Sequence, residues 1–68
     1  MYVDHYKIRG ENFECGVAVM SGKVVEASLA ASYTLGWTLE ELKDFVLRNG
    51  YKTLWLDQES GKWIEKAL

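Results

Sequence analysis

Proline is absent from the 68 residues, and cysteine and histidine occur once each. With no proline, no low-complexity stretch and no repeat, nothing divides the chain, and the expectation is a single domain over residues 1–68. A lone cysteine excludes an internal disulfide, and one cysteine with one histidine makes a poor metal-ligand set. No metal and no other cofactor is therefore expected. No apolar run approaches the roughly 18–20 residues needed to cross a bilayer. The opening Met-Tyr-Val-Asp-His also lacks the basic-then-apolar order of a signal peptide. A single cysteine suits a reducing compartment, so the expected location is the cytoplasm, with no membrane partner.

Blocks of like charge are missing too. Eight basic residues are scattered among ten acidic ones for a net charge of −2, against the basic footprint of a nucleic-acid binder. The acidic residues are too few and too mixed for a DNA mimic. Glycines stand singly, and none belongs to a phosphate-cradling loop.

What the chain has in quantity is apolar and aromatic surface. Apolar residues make up 49%, with three Trp, four Tyr and two Phe, and each aromatic can bury about 150–250 Å². A chain this short buries roughly 60% of the surface exposed when unfolded. Small domains therefore lean on disulfides, metals, partners or very regular packing. The absences above leave the last two.

Alternation over Tyr2–Ile8 predicts a first strand, and Arg9-Gly10-Glu11-Asn12 a turn. Phe13–Ser28, FECGVAVMSGKVVEAS, predicts a hairpin turning at Ser21-Gly22. A plain two-residue turn sets Met20 opposite Lys23, Val19 opposite Val24 and Val17 opposite Glu26. One face then carries Phe13, Cys15, Val17, Val19, Val24, Glu26 and Ser28. The other carries Glu14, Gly16, Ala18, Met20, Lys23, Val25 and Ala27. The bulkier first face is the expected core side. The second is small and apolar at its centre, and close approach of a short helix, a second copy or a partner would cover it.

Leu29–Leu35 reads as a short helical turn stopped by Gly36. Thr38 as N-cap with Glu41 three residues on forms a capping box, and Trp37 and Leu42 occupy the hydrophobic-staple positions. The predicted helix runs from Leu39 to Arg48, with Leu39, Leu42, Phe45 and Val46 on one stripe, and ends at Asn49-Gly50. Tyr51–Leu56 is rich in strand formers, and Asp57–Gly61 is turn chemistry. Lys62–Glu65 returns as an edge strand, with a helical tail over 62–68 as the alternative. The fold class is α+β: a three- to five-stranded, mostly antiparallel sheet with one main helix and a short helical turn packed on it.

No enzyme motif is present. Cys15 would need an activating partner to act as a nucleophile, and His5 could reach it if the first two strands pair. Neighbouring Glu40 and Glu41 point about 100° apart on a helix and are accounted for by the cap and dipole. Asp57 and Glu59 belong to turn chemistry. Trp37, Phe45 and Trp55 are the expected aromatic core. Tyr2, Tyr6, Tyr33, Tyr51 and Trp63 exceed what one helix can cover, and Tyr and Trp left at a surface are enriched in interface hot spots.

From Tyr6 to Leu56 the pattern resembles a group of short bacteriophage and mobile-element proteins. Their pattern is a strand, then F-x-x-G-[VI]-x-V-x-x-G-x-V-V-x-A-A-P-I, an aromatic, a glycine, and a helix ending in G-[WY]. The matching residues are Phe13, Gly16, Val17, Val19, Gly22, Val24, Val25, Ala27, Tyr33, Gly36, Gly50 and Tyr51. Ser28-Leu29-Ala30 stands where Ala-Pro-Ile is usual, and Tyr33 where Trp is common. The resemblance implies a phage or mobile-element origin and carries over no functional residue.

The sequence thus leads to a small non-enzymatic accessory factor that binds a protein, an inhibitor of a host protein being one form of it. The residues expected at the partner are Tyr2, Tyr6, Ala18, Val25, Tyr33 and Trp63. A homodimeric assembly module is the alternative, and a thiol enzyme using Cys15 ranks last.

Overall fold

A computed structural model describes residues 2–68. Five strands, Asp4–Arg9 (β1), Glu14–Met20 (β2), Lys23–Ala27 (β3), Lys52–Asp57 (β4) and Lys62–Glu65 (β5), form one sheet in the order β3-β2-β1-β4-β5. Every neighbouring pair is antiparallel. Between β3 and β4 come a 3₁₀ helix, Leu29–Thr34, and the one α-helix, Leu39–Asn49 (α1). The expected α+β architecture is the one observed. Among the described residues no helix is long and apolar enough to cross a membrane.

The ends of α1 follow from local chemistry. The Thr38 hydroxyl accepts the Glu41 N–H at 3.2 Å, and the Glu41 carboxylate accepts the Thr38 N–H at 3.0 Å. These reciprocal bonds satisfy donors that the first turn would otherwise leave unpaired. At the far end Gly50 adopts φ 65°. The N–H groups of Gly50 and Tyr51 close back on the carbonyls of Leu47 and Val46, a Schellman ending that requires a left-handed residue. Leu42 and Val46 enter the core with Ile8, Cys15, Val17, Val19, Val24 and Ala31, and Leu39 and Phe45 pack against it.

The hairpin departs from the expected register. Met20 opposes Lys23 and Val19 opposes Val24, but Ala18 opposes Glu26 and Val17 opposes Ala27. Val25 is an extra residue in β3, a β-bulge. Its physical reason lies in Glu26. The plain register sets Glu26 opposite Val17, which is 4% exposed, and an unpaired carboxylate facing that core costs several kcal/mol. The bulge turns Glu26 outward and brings Ala27 to the core side instead. Ser28 locks this register: its N–H donates to the Gly16 carbonyl at 2.8 Å and its hydroxyl accepts the Gly16 N–H at 3.0 Å.

Other boundaries move by one or two residues. β1 begins at Asp4 rather than Tyr2, and β4 at Lys52 rather than Tyr51. Tyr51 belongs instead to an aromatic layer centred on Phe45, whose ring meets Tyr51, Trp37, Tyr33 and Phe13 edge-on at 5.6, 5.7, 5.9 and 6.4 Å. Trp55, expected in the core, is half-buried outside the core cluster. Its indole N–H donates to Asp4 at 3.2 Å, and the Lys66 ammonium lies 4.3 Å from its ring centroid. The tail question resolves as strand for Lys62–Glu65, with no regular element after it.

Candidate functional site

Both helical segments lie on the core side of the sheet. The 3₁₀ helix contributes fully buried Ala31 to the core cluster, so of the three covers expected for the small face of the hairpin the short helix is not the one. That opposite face carries no covering element among the described residues. Register arranges its side chains in rows across the strands. Glu26 opposes Ala18, Ala18 opposes His5, and Leu56 opposes Trp63; continuing the β1–β4 ladder past Tyr6–Trp55 sets His5 beside Leu56. In the next row Gly16 opposes Lys7, Lys7 opposes Leu54, and Leu54 opposes Glu65.

An open groove of about 330 Å³ runs over these rows. Gly16 and Ala18 form its floor, and Trp63 and the Glu26–Ser28 stretch line it as well. The Lys7 ammonium sits 4.5 Å from the Trp63 ring centroid, an attraction worth about 0.5–1 kcal/mol at an exposed site. That contact holds the indole in place while leaving Trp63 38% exposed. Gly16 keeps the floor low, and a Cβ built there would meet only the Tyr6 carbonyl oxygen, at 3.9 Å.

The two sheet edges differ. β3 is closed: Val24 donates to the Trp37 carbonyl, Gly36 to Val24 and Leu39 to Gly22, at 2.8–2.9 Å, and the bulge adds local distortion. Among the described residues the outer edge of β5 has no such neighbour, and all four of its residues are exposed. The Lys66 N–H donates to the Thr53 carbonyl. By the alternation of antiparallel bonding, Ile64 and Lys62 therefore turn their backbone groups to β4. Trp63 and Glu65 turn theirs outward.

The expected partner residues separate accordingly. Ala18 and Trp63 both line the groove, but Ala18 is only 3% exposed at its floor, against the expectation of a partner contact; Val25 is 40% exposed at the bulge. Tyr6 lies on the helix side, packed against the core, where burial and then Asp4 push its phenol pKa up. Tyr33 is 53% exposed on that same side, in the aromatic layer. Tyr2, 73% exposed, precedes β1. The six do not make one patch. The groove adds His5 and Lys7, whose strand order sets them beside Ala18, and Glu26, which the sequence reading put on the core face and the bulge turns outward.

Cys15 and His5 point to opposite faces, since Cys15 opposes Ile8 and His5 opposes Ala18. Burial pushes the Cys15 thiol up; a hydrogen bond with the Ile8 backbone pulls the other way, and Glu14 raises it further. No base reaches it. Among the described residues no three metal-ligating side chains converge. Comparison with protein-family models, with curated proteins and with solved structures found no match.

Proposed function

We propose that the protein is a binding module that docks a protein partner across the uncovered face of its sheet, an accessory factor of the kind phages and mobile elements encode. The observation that carries this reading is an uncovered sheet face bordered by an unpaired edge strand, with Trp63 exposed where the two meet. Strand addition at such an edge supplies main-chain hydrogen bonds, and the adjoining groove selects side chains. A Trp held by a lysine is already partly ordered, so less conformational freedom is lost on binding.

A benzophenone amino acid in place of Glu26 tests the reading, because it sits on the groove wall and spares Trp63. In source cells it is expected to cross-link one discrete protein. Adding Gly16→Leu, which fills the groove at a position where an added Cβ makes only ordinary contact with the Tyr6 carbonyl oxygen, should abolish that product. The same probe at Ser32, an exposed residue of the 3₁₀ helix, should not give it. Identical products at both positions, or none at position 26, would sink the proposal.

The open β5 edge also supports a second reading, a homodimer that pairs β5 with β5 of another copy. A cross-linked product of twice the chain mass, together with a dimer in light scattering, would select it.

A further inference from the structure

The core side of the sheet holds a second concavity that the outer-face reading does not use. A cleft of about 260 Å³ opens between the second half of α1, the start of β4 and the segment after β5. Val46, Leu47, Tyr51 and Leu68 give it an apolar lining. Val46 is buried and Leu68 packs against the core, whereas Leu47 is 71% exposed, so the lining runs continuously from core to solvent. The Lys66 N–H, donating to the Thr53 carbonyl at 3.0 Å, fixes the segment after β5 as one wall.

The rim is basic in an acidic protein. Lys43 and Lys66 border the cleft, while Lys52 and Glu65, which also line it, alternate with core-side Thr53 and Lys66 and so project toward the other face of the sheet. The lining residues together carry +2 (three lysines against Glu65), so within a whole-chain charge of −2 the remaining residues carry −4. These lysines are poorly compensated. Lys52 meets Glu65 only at 3.8 Å with both exposed, a pair of little worth. Lys66 lies over the Trp55 ring, which attracts the ammonium without neutralising it. Lys43 makes no ion pair among the described residues.

We infer that this cleft docks a peptide segment of a protein partner, one bulky apolar side chain flanked by carboxylates. The apolar side chain lies on Leu47 and Tyr51, and the carboxylates face Lys43 and Lys66. The volume falls below the roughly 300–1,000 Å³ of small-molecule pockets and suits a single Leu or Phe side chain. Charge complementarity selects the flanks and rejects basic segments. The inference stands whether or not the outer face binds anything.

Titration of the ¹⁵N-labelled chain with the peptide acetyl-Asp-Glu-Leu-Phe-Glu-Asp-amide tests it by amide chemical shifts. Shifts should concentrate at Leu47, Thr53, Lys66 and Ala67, with a Kd on the order of 10⁻⁴ M. Affinity should fall several-fold as salt rises from about 50 to about 200 mM. The double variant Lys43→Glu/Lys66→Glu, changed only at exposed side chains, should bind about tenfold more weakly, its unchanged spectrum elsewhere showing that it folds. A peptide with lysines in place of the acids should leave the spectrum untouched. The inference is overturned by no shifts at about 2 mM peptide, by shifts on the outer face, or by equal binding of the basic peptide. Dodecanoate shifting these amides where the peptide does not would equally overturn it, marking a site for a free acyl anion.

Discussion

Cys15 illustrates how position decides chemistry at the scale of one residue. The thiol is 4% exposed in β2, opposite Ile8, with its pKa raised chiefly by burial. A thiolate is therefore scarcer in the folded chain than in an unfolded one. Alkylation by iodoacetamide at pH 7 is expected to be slow in buffer and fast in denaturant. Rapid alkylation of the folded protein would contradict the burial. The same shift has a thermodynamic side. The folded state holds the thiol proton more tightly, so this contribution is intact below the unfolded cysteine value of about 8.5 and is lost as pH rises above it. Denaturant midpoints should fall over that alkaline range, and Cys15→Ala should flatten the fall until Tyr6, also raised, begins to ionise. Gly10 makes a steric point of equal sharpness. A Cβ there would lie 2.5 Å from the Tyr51 ring, and that ring cannot retreat, being stacked on Phe13 at 4.9 Å and touched edge-on by Phe45. Gly10→Ala should cost about 1–3 kcal/mol in urea unfolding, and a loss below half a kcal/mol (about a tenth of typical total stability) would show that the aromatic layer yields.

Elements differ in how much of them the sequence announces. The boundaries of α1 were legible because both its ends are local chemistry: Thr38 with Glu41, and Asn49-Gly50. The turn at Ser21-Gly22 was legible for the same reason, both residues taking positive φ as a type I′ turn demands. The bulge at Val25 was not. Val-Val-Glu-Ala-Ser fits either register by alternation, and only the cost of setting Glu26 against Val17 chooses between them. The groove shares that opacity: Trp63 and Ala18 were legible as surplus aromatic and small face, whereas His5 and Lys7 join them through strand order and Glu26 through the bulge. β5 allows a direct test of edge geometry. Proline at Glu65 removes an N–H that faces away from β4 and should be tolerated, while proline at Ile64 removes one that faces β4 and breaks the ladder. Thermal unfolding should place Ile64→Pro well below Glu65→Pro. Equal midpoints would mean that the assigned alternation of bonds is wrong.

At the scale of the whole molecule, stability is distributed unevenly because cover is one-sided. The core cluster draws on β1, β2, β3, the 3₁₀ helix and α1, with β1 at the centre of the sheet. β5 contributes nothing to it, and its residues are all exposed. What secures β5 is its ladder to β4, the Lys7–Trp63 contact and the Lys66–Thr53 hydrogen bond. Each single hydrogen bond or cation–π contact among them is worth about a kcal/mol in water, against a total of order 5–15 kcal/mol for a domain. The strand best placed to receive a partner is therefore the one that opens most cheaply, which suits strand addition and adds an ordering cost to it. Native-state hydrogen exchange should separate the two levels. The amide of Ile8, fully buried in β1, should exchange only through global unfolding, and its rate should respond steeply to denaturant. The amides of Ile64 and Lys62 should exchange through a smaller opening with a shallow denaturant dependence. If Ile64 were as protected as Ile8, β5 would be part of the cooperative core, and its edge would be a rigid template rather than the loosest strand of the sheet.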